Sequence, residues 1–426
     1  MNIEKYLSNF FKGTKNPSLK AMEFLMNEFK HPEDRLKAIH IAGTNGKGSV
    51  TEMITNVLIN AGYTVGKFIS PHLIHYNERI SVNNNNISDI EMEKLINKIN
   101  PTIEKYNSES DIPITLFELE TTMAFLYFKE KKCDFIILET GLGGLFDCTN
   151  IINHPLVSVI TSIGYDHMHI LGNTLPEIAY QKAGIIKENS NTVIFKEQSE
   201  IDNVFITECG KKNNTLHIIK TSDISNYYFD NNFQYFDYKD FKNIIINLKG
   251  KVQVKNASLC LEVFKILNEL GYYVGLENIQ LGLRTVIHKA RMEQLNDRPI
   301  IIFDGAHNEP AIKNLQDMVK MYYTKKKRIY IISILKRKDY NKMLELIAED
   351  KEALFILTSG NNPDTYATSD ELYECMKKYV NINRIYKKSL YDAIVSTMNS
   401  NFDTANFVIG SFYTYGTVIN IIENHK

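Results

Sequence analysis

The chain has 426 residues, 44% hydrophobic and 23% charged, with a formal net charge of -1. This is the balance of a core-forming globular protein of two or three domains, and it lacks the basic excess of a nucleic-acid binder. Five scattered cysteines without a C-x-x-C pair argue against a disulfide framework or a zinc site, no run of about 18 apolar residues suggests a membrane span, and MNIEKYLSNFFKG lacks the apolar core of a signal peptide, so a reducing, cytoplasmic setting is expected.

In chain order, KAIHIA (37–42) reads as a strand, KGSVTEMITNVLINAG (47–62) as a helix closing at Gly62, and TVGKFIS (64–70) as the next strand. Asn83 to Asn86 read as a hairpin tip or loop, because asparagine tolerates turn geometry. TLFELETTMAFLYFKEK (115–131) reads as a helix leading into the strand DFIILE (134–139), and LVSVITSIG (156–164) brings another strand. Residues 213–248, rich in Tyr, Phe, Asn and Asp, read as a small antiparallel elaboration. A boundary is placed near Asn296, giving domains 1–295 and 296–426; beyond it IIIFD, KKRIYIIS, EALFILT and TANFVIG form a second βα series. Strands alternating with helices predict parallel sheets with ligands at their carboxyl ends.

Four stretches carry chemistry. HIAGTNGKGSV (40–50) has the glycines, lysine and hydroxyl of a phosphate-binding loop, yet position 41 is Ile and Gly48 intervenes between Lys47 and Ser49. Flanking strand and helix favour phosphate binding over an ordinary βα turn, with Lys47 neutralising phosphate and Ser49 available to Mg²⁺. Glu139 ends a buried strand, where a carboxylate is costly unless paired or metal-bound; a helix cap or solvated loop acid is the competing reading. Asp166, His167 and His169 follow a strand directly, and His167 is as readily structural as a ligand. In FDGAHNEP (303–310), Asp304 and His307 stand just past the first strand of the second domain, and Arg291 precedes the boundary.

Together these stretches resemble the folylpolyglutamate synthase and dihydrofolate synthase family of the Mur ligase superfamily. The matching residues are GTNGKGS (43–49), SPHL (70–73) with NERI (77–80), TLFE (115–118), E-x-G-L-G-G (139–144) with D-x-T-N (147–150), TSIGYDH, QKAGIIK, NA (256–257), DGAHN, LKRKD (335–339) and GSFY (410–413). The resemblance implies an α/β fold: a phosphate-loop-containing, mostly parallel ATPase domain followed by a smaller Rossmann-like α/β domain.

It also implies roles. Thr44, Asn45, Gly46, Lys47, Gly48 and Ser49 would hold ATP, joined by Asn256, Arg291 and Asp304. Ser49, Ser70, Glu139, His167 and Lys182 would serve two Mg²⁺ sites, with a carbamate on Lys182. His72, Phe117 and Glu118 would contact the acceptor, and His307 and Ser411 would orient glutamate. Lys47, Glu139, His167 and Lys182 form the catalytic set of an ATP-dependent amide ligase that adds L-glutamate to dihydropteroate or reduced folates through an acyl phosphate. The implied partners are small molecules only, with no nucleic acid or membrane, and the chain is expected to be a monomer whose domains close on a shared nucleotide.

Departures from the family pattern are Leu145 for Arg, Val252 for His, HKAR (288–291) for W-P-G-R, the segment GTKNPSLKAM (13–22), and NPD (362–364) for N-P-R. They leave two alternatives: a Mur-like ligase for a different carboxylate, or a nucleotide-binding protein without turnover.

Overall fold

The computed structural model describes residues 3–11, 18–360, 362, 364–399 and 403–425. Residues 13–17 of GTKNPSLKAM and Pro363 of NPD lie outside these. The chain divides into two compact units, Met1–Asn247 with Gln253–Val286, and Leu248–Val252 with Ile287–Lys426.

The main sheet of the first unit comprises β1 (Ala38–Ala42), β2 (Val65–Phe68), β3 (Ile80–Val82), β4 (Asn85–Asn86), β5 (Phe135–Glu139), β6 (Val157–Ile160), β7 (Asn191–Phe195) and β8 (Thr215–Ile219). Their order is β4-β3-β2-β5-β1-β6-β7-β8, and pairing is parallel except at the β2-β3-β4 edge. β1, β2, β5 and β6 are buried along their whole length, as strands covered by helices on both faces must be, which is why they are mainly apolar, with His40, Lys67 and Ser158 among the buried exceptions. At the edge, Asn83 and Asn84 make the turn with φ of 51° and 59°, so the asparagine run is a hairpin tip that continues into β4.

Residues 213–248 do not form a single antiparallel elaboration. Thr215–Ile219 joins the main sheet parallel to β7, and its mixed polarity reflects a half-covered edge position. Only β9 (Ile224–Phe229), β10 (Gln234–Tyr238) and β11 (Phe241–Ile246) form a separate antiparallel sheet. Glu262, in the helix Lys251–Glu269, anchors that sheet by accepting from Tyr238 Oη at 2.5 Å and Lys239 Nζ at 2.8 Å.

The second unit holds β12 (Glu293–Asp297), β13 (Ile300–Asp304), β14 (Lys327–Ile332), β15 (Leu354–Leu357), β16 (Ile385–Lys387) and β17 (Thr404–Ile409), in the order β12-β13-β17-β14-β15-β16. All pairs are parallel except β12 with β13. The units change over between Val286 and Ile287 rather than near Asn296. The polar stretch around Asn296 is an edge strand, and its half-exposed residues give it the composition of a linker.

The phosphate-loop helix, Lys47–Asn60, packs against the helix Leu276–Thr285. A Cβ on Gly282 would lie 2.6 Å from Val57 Cα, a backbone atom that no rotamer change moves aside. Asn56 Nδ2 closes the contact by donating to Gly282 O at 2.7 Å. Gly282→Val is expected to force the helices apart and destabilise the protein by about 1–3 kcal/mol. Urea unfolding checks this, and an unchanged midpoint would contradict the close approach.

Candidate active site

Strand β1 ends at Ala42 and the chain turns through Gly43–Gly46 before entering the helix at Lys47. The turn is tied to the segment after β6. Thr44 N donates to Ser162 O at 2.7 Å, Thr161 Oγ1 donates to Asn45 O at 2.7 Å, and Thr44 Oγ1 and Gly164 exchange bonds at 3.0 Å. Gly43 has φ of 149°, and a Cβ there would fall 1.7 Å from Thr161 Oγ1. Gly46 has φ of 94°, and its Cβ would meet Asn256 Oδ1 at 2.8 Å. Both glycines are therefore required by left-handed backbone and by close approach together.

The loop presents the helix N-terminus and its N-H groups, the ordinary physical basis of anion binding. Lys47 Nζ folds over the loop and donates to Gly43 O at 3.0 Å. Ser49 is buried and accepts from Gln253 Nε2 at 3.2 Å, while Asn256 Nδ2 donates to Gln253 Oε1 at 3.0 Å. Asn256, distant in sequence, thus packs on the phosphate loop.

Beside the loop, Glu139 closes β5 in register with Ile41 and is buried. The following glycines let the chain run against the end of the helix Leu175–Ala183: a Cβ on Gly144 would lie 2.9 Å from the carbonyls of both Gln181 and Lys182. Leu145 N donates to Gln181 O at 2.8 Å, and Asn150 Nδ2 donates to Leu145 O at 3.1 Å and Gly184 O at 3.2 Å. This strap holds Lys182 in the interior, 3% exposed. Burial, and then the like charge of Lys47, push the Lys182 pKa down to about 7, against the opposing pull of Asp166 and Asp147. A substantial neutral fraction at physiological pH makes it a nucleophilic amine.

His167 sits in the left-handed region with φ of 51°; its N-H donates to Asp166 Oδ1 at 2.9 Å, and its Nε2 lies 3.6 Å from the same oxygen. Ser70 is half-buried beyond β2. His72 Nδ1 accepts from Arg79 Nε at 3.0 Å, and Arg79 Nη1 pairs with buried Glu120 at 2.6 Å. Phe117 stacks on Phe68 at 5.6 Å and faces Gly141, whose Cβ would meet the ring at 2.7 Å. Glu118 is engaged in its own helix cap: Oε2 accepts from Thr115 N at 2.7 Å and from Thr115 Oγ1 at 2.8 Å.

In the second unit, Asp304 ends β13 fully buried, accepting from Met292 N and Ala306 N at 2.9 Å each. Burial raises its pKa, while Arg291 and these donors oppose the rise. The Arg291 guanidinium lies 4.4 Å from the centre of the Phe412 ring, and His307 packs on the same ring at 5.4 Å. Gly305 makes room for that ring, since a Cβ there would lie 2.0 Å from Phe412 Cε1. Ser411, buried, lies 3.2 Å from Tyr366 Oη and accepts from Tyr413 N at 3.2 Å. Arg291, Asp304, His307 and Ser411 therefore gather around Phe412, next to the carboxyl ends of β13 and β17.

Among the described residues, the only trio of His, Cys, Asp or Glu ligand atoms within 4.8 Å of one another is His31, Glu33 and Asp34, outside this site. Sequence reasoning passed over Thr161, Asp147, Arg79, Glu120 and His40. Thr161, Asp147, Arg79 and His40 stood in the TSIGYDH, D-x-T-N, N-E-R-I and HIAGTNGKGSV stretches without being given a role, whereas Glu120 carries no local signal.

The chain matches the Mur ligase middle domain over residues 41–264 and the dihydrofolate synthetase C-terminal domain over residues 288–421. It is 40% identical over 339 residues to a dihydrofolate synthase/folylpolyglutamate synthase of Bacillus subtilis, covering 77% of this chain and 78% of that one. The folylpolyglutamate synthase of Mycobacterium tuberculosis complexed with ADP and AMPPCP superposes with a TM-score of 0.89 at 25% identity, covering 98% of this chain and 97% of that one. An FPGS–AMPPCP–folate complex superposes with a TM-score of 0.85 at 26% identity, covering 99% of this chain and all (100%) of the other. By these matches, the chain belongs to the dihydrofolate synthase/folylpolyglutamate synthase family and is an ATP-dependent ligase.

Proposed function

We propose that the enzyme joins L-glutamate to dihydropteroate, to reduced folates, or to both, and that it acts as a monomer. The observation that carries this is Lys182: a buried amine with its pKa pushed down to about 7, within electrostatic reach of Lys47 of the phosphate loop and of Asp166 and Asp147. A neutral amine adds to CO₂, releases one proton and becomes an N-carboxylate. That converts a charge-repelled lysine into an anion facing Lys47.

Ser49, Ser70 and Glu139 would hold one Mg²⁺, and Glu139, His167 and the carbamate of Lys182 a second; ions held there would supply positive charge to offset that of the phosphates during transfer. Lys47 and the N-H groups of Gly46 to Ser49 hold the phosphates, with Asn256, Arg291 and Asp304 as further ATP ligands. The acceptor carboxylate attacks the γ-phosphorus and ADP leaves. The amine of glutamate, oriented by His307 and Ser411, then attacks the acyl phosphate, and phosphate departs. Phosphoryl transfer of this kind depends on positioning and charge rather than on a protein nucleophile. His72 and Phe117 line the acceptor side. Glu118 shapes that side through the helix cap that places Phe117.

Phosphate release from ATP with Mg²⁺ and glutamate is expected to depend on dihydropteroate or tetrahydrofolate; release unaffected by either would sink the substrate assignment. Lys182→Ala is expected to lower kcat by roughly a hundredfold or more while retaining ATP binding, with partial recovery in added short-chain carboxylates. Full activity of that variant would show that no carbamate is needed.

A further inference from the structure

His40 lies inside β1 with no exposed surface, three residues before the first glycine of the phosphate loop, and has no place in the ATP or substrate sets above. Its Nε2 lies 2.7 Å from Thr149 Oγ1, and Thr149 Oγ1 donates to Asp147 Oδ1 at 2.5 Å. A carboxylate only accepts, so the threonine hydrogen is committed to Asp147 and the threonine oxygen accepts from the imidazole. The ring proton is therefore on Nε2, and Nδ1 is bare and has no hydrogen-bond partner in the buried strand. The ring is neutral: burial, reinforced by the charge of Lys187, pushes its pKa down to about 3.

The chain of bonds ends on the glycine loop. Asp147 also accepts from Thr149 N at 3.0 Å and, through Oδ2, from Leu142 N at 2.9 Å. That loop touches Phe117 at Gly141, Leu171 at Gly143, and the carbonyls of Gln181 and Lys182 at Gly144. A shift of Asp147 thus passes to the acceptor side and to the helix end that carries the buried amine.

We infer that His40 is a positioning residue of the ligase: its Nε2-H orients the Thr149 hydroxyl, which fixes the Asp147 carboxylate and with it the loop between Phe117 and Lys182. The inference rests on the ligase reading above. Directional relays from a buried histidine to a carboxylate work this way at metal sites, where loss of the outer partner costs about 10–100-fold.

The test uses the full-length enzyme with His40→Leu, Thr149→Val, the double variant, and the conservative His40→Gln and Thr149→Ser. Each single break is expected to lower kcat/KM for the acceptor about 10–100-fold with KM for ATP little changed. The double variant should fall no further than the singles, because the residues act as one unit. His40→Gln and Thr149→Ser, which keep a donor and a hydroxyl, should recover most of the loss. Additive losses, or a drop in Tm with acceptor kinetics unaltered, would overturn the proposal. ¹⁵N NMR of histidine-labelled unmutated enzyme decides it even if the variants fail to fold: a proton on Nε2 supports the relay, and a proton on Nδ1 or on both nitrogens refutes it. Absence of pterin-dependent turnover in the unmutated enzyme would instead count against the ligase reading and leave the NMR result standing.

Discussion

Parallel pairing of β5, β1 and β6 is the constraint on which the first unit's chemistry depends. The register sets Ile41 against Glu139 and Ala42 against Ile160, so three strands end within a residue of one another. Interior strands of a parallel sheet are mainly apolar, with His40 in β1 and Ser158 in β6 as buried exceptions, and the backbone groups freed where the strands end must find partners at once. Here Thr161, Ser162 and Gly164 bond the phosphate loop, Thr140 N donates to Ile41 O, and Glu139 emerges where the loop turns. The site is what remains when those obligations are met.

The buried charge of Lys182 is handled by a lowered pKa, whereas Arg79 and Glu120 pair directly. Burying an ammonium costs several kcal/mol unless it is compensated, and a group in that position neutralises instead. Lys182 does so, whereas Lys47, at the loop surface, finds Gly43 O. Asp147 and Asp304 are buried acids whose pKa values rise with burial, and each is opposed by backbone donors. Both hold loops in shape: Asp147 the glycine loop after β5, Asp304 the turn carrying Met292 and Ala306.

Much of this was legible in the sequence. Continuous apolar strands, the helix opening at Lys47 and the punctuating glycines predict the phosphate loop, because each follows from local geometry. Resemblance was needed for Lys182 and Asn256, whose placement depends on tertiary contacts: the strap from Leu145 to Gln181, and the close approach of Asn256 to Gly46. Besides the acceptor role that the resemblance implies for it, the Glu118 carboxylate caps its own helix, and the T-x-x-E spacing carried that signal. The division between units was read from composition near Asn296, which an exposed edge strand imitates. The half-exposed edge strand Thr215–Ile219 was merged with the antiparallel sheet that follows it for a related reason, since pairing partners are non-local.

The central claim is that the γ-phosphoryl group of ATP passes to the carboxylate of a pterin acceptor before glutamate is joined. An acceptor labelled with ¹⁸O in that carboxylate tests it directly. The account predicts one labelled oxygen in the phosphate released, with ADP unlabelled. Unlabelled phosphate, or label appearing in AMP, would contradict it.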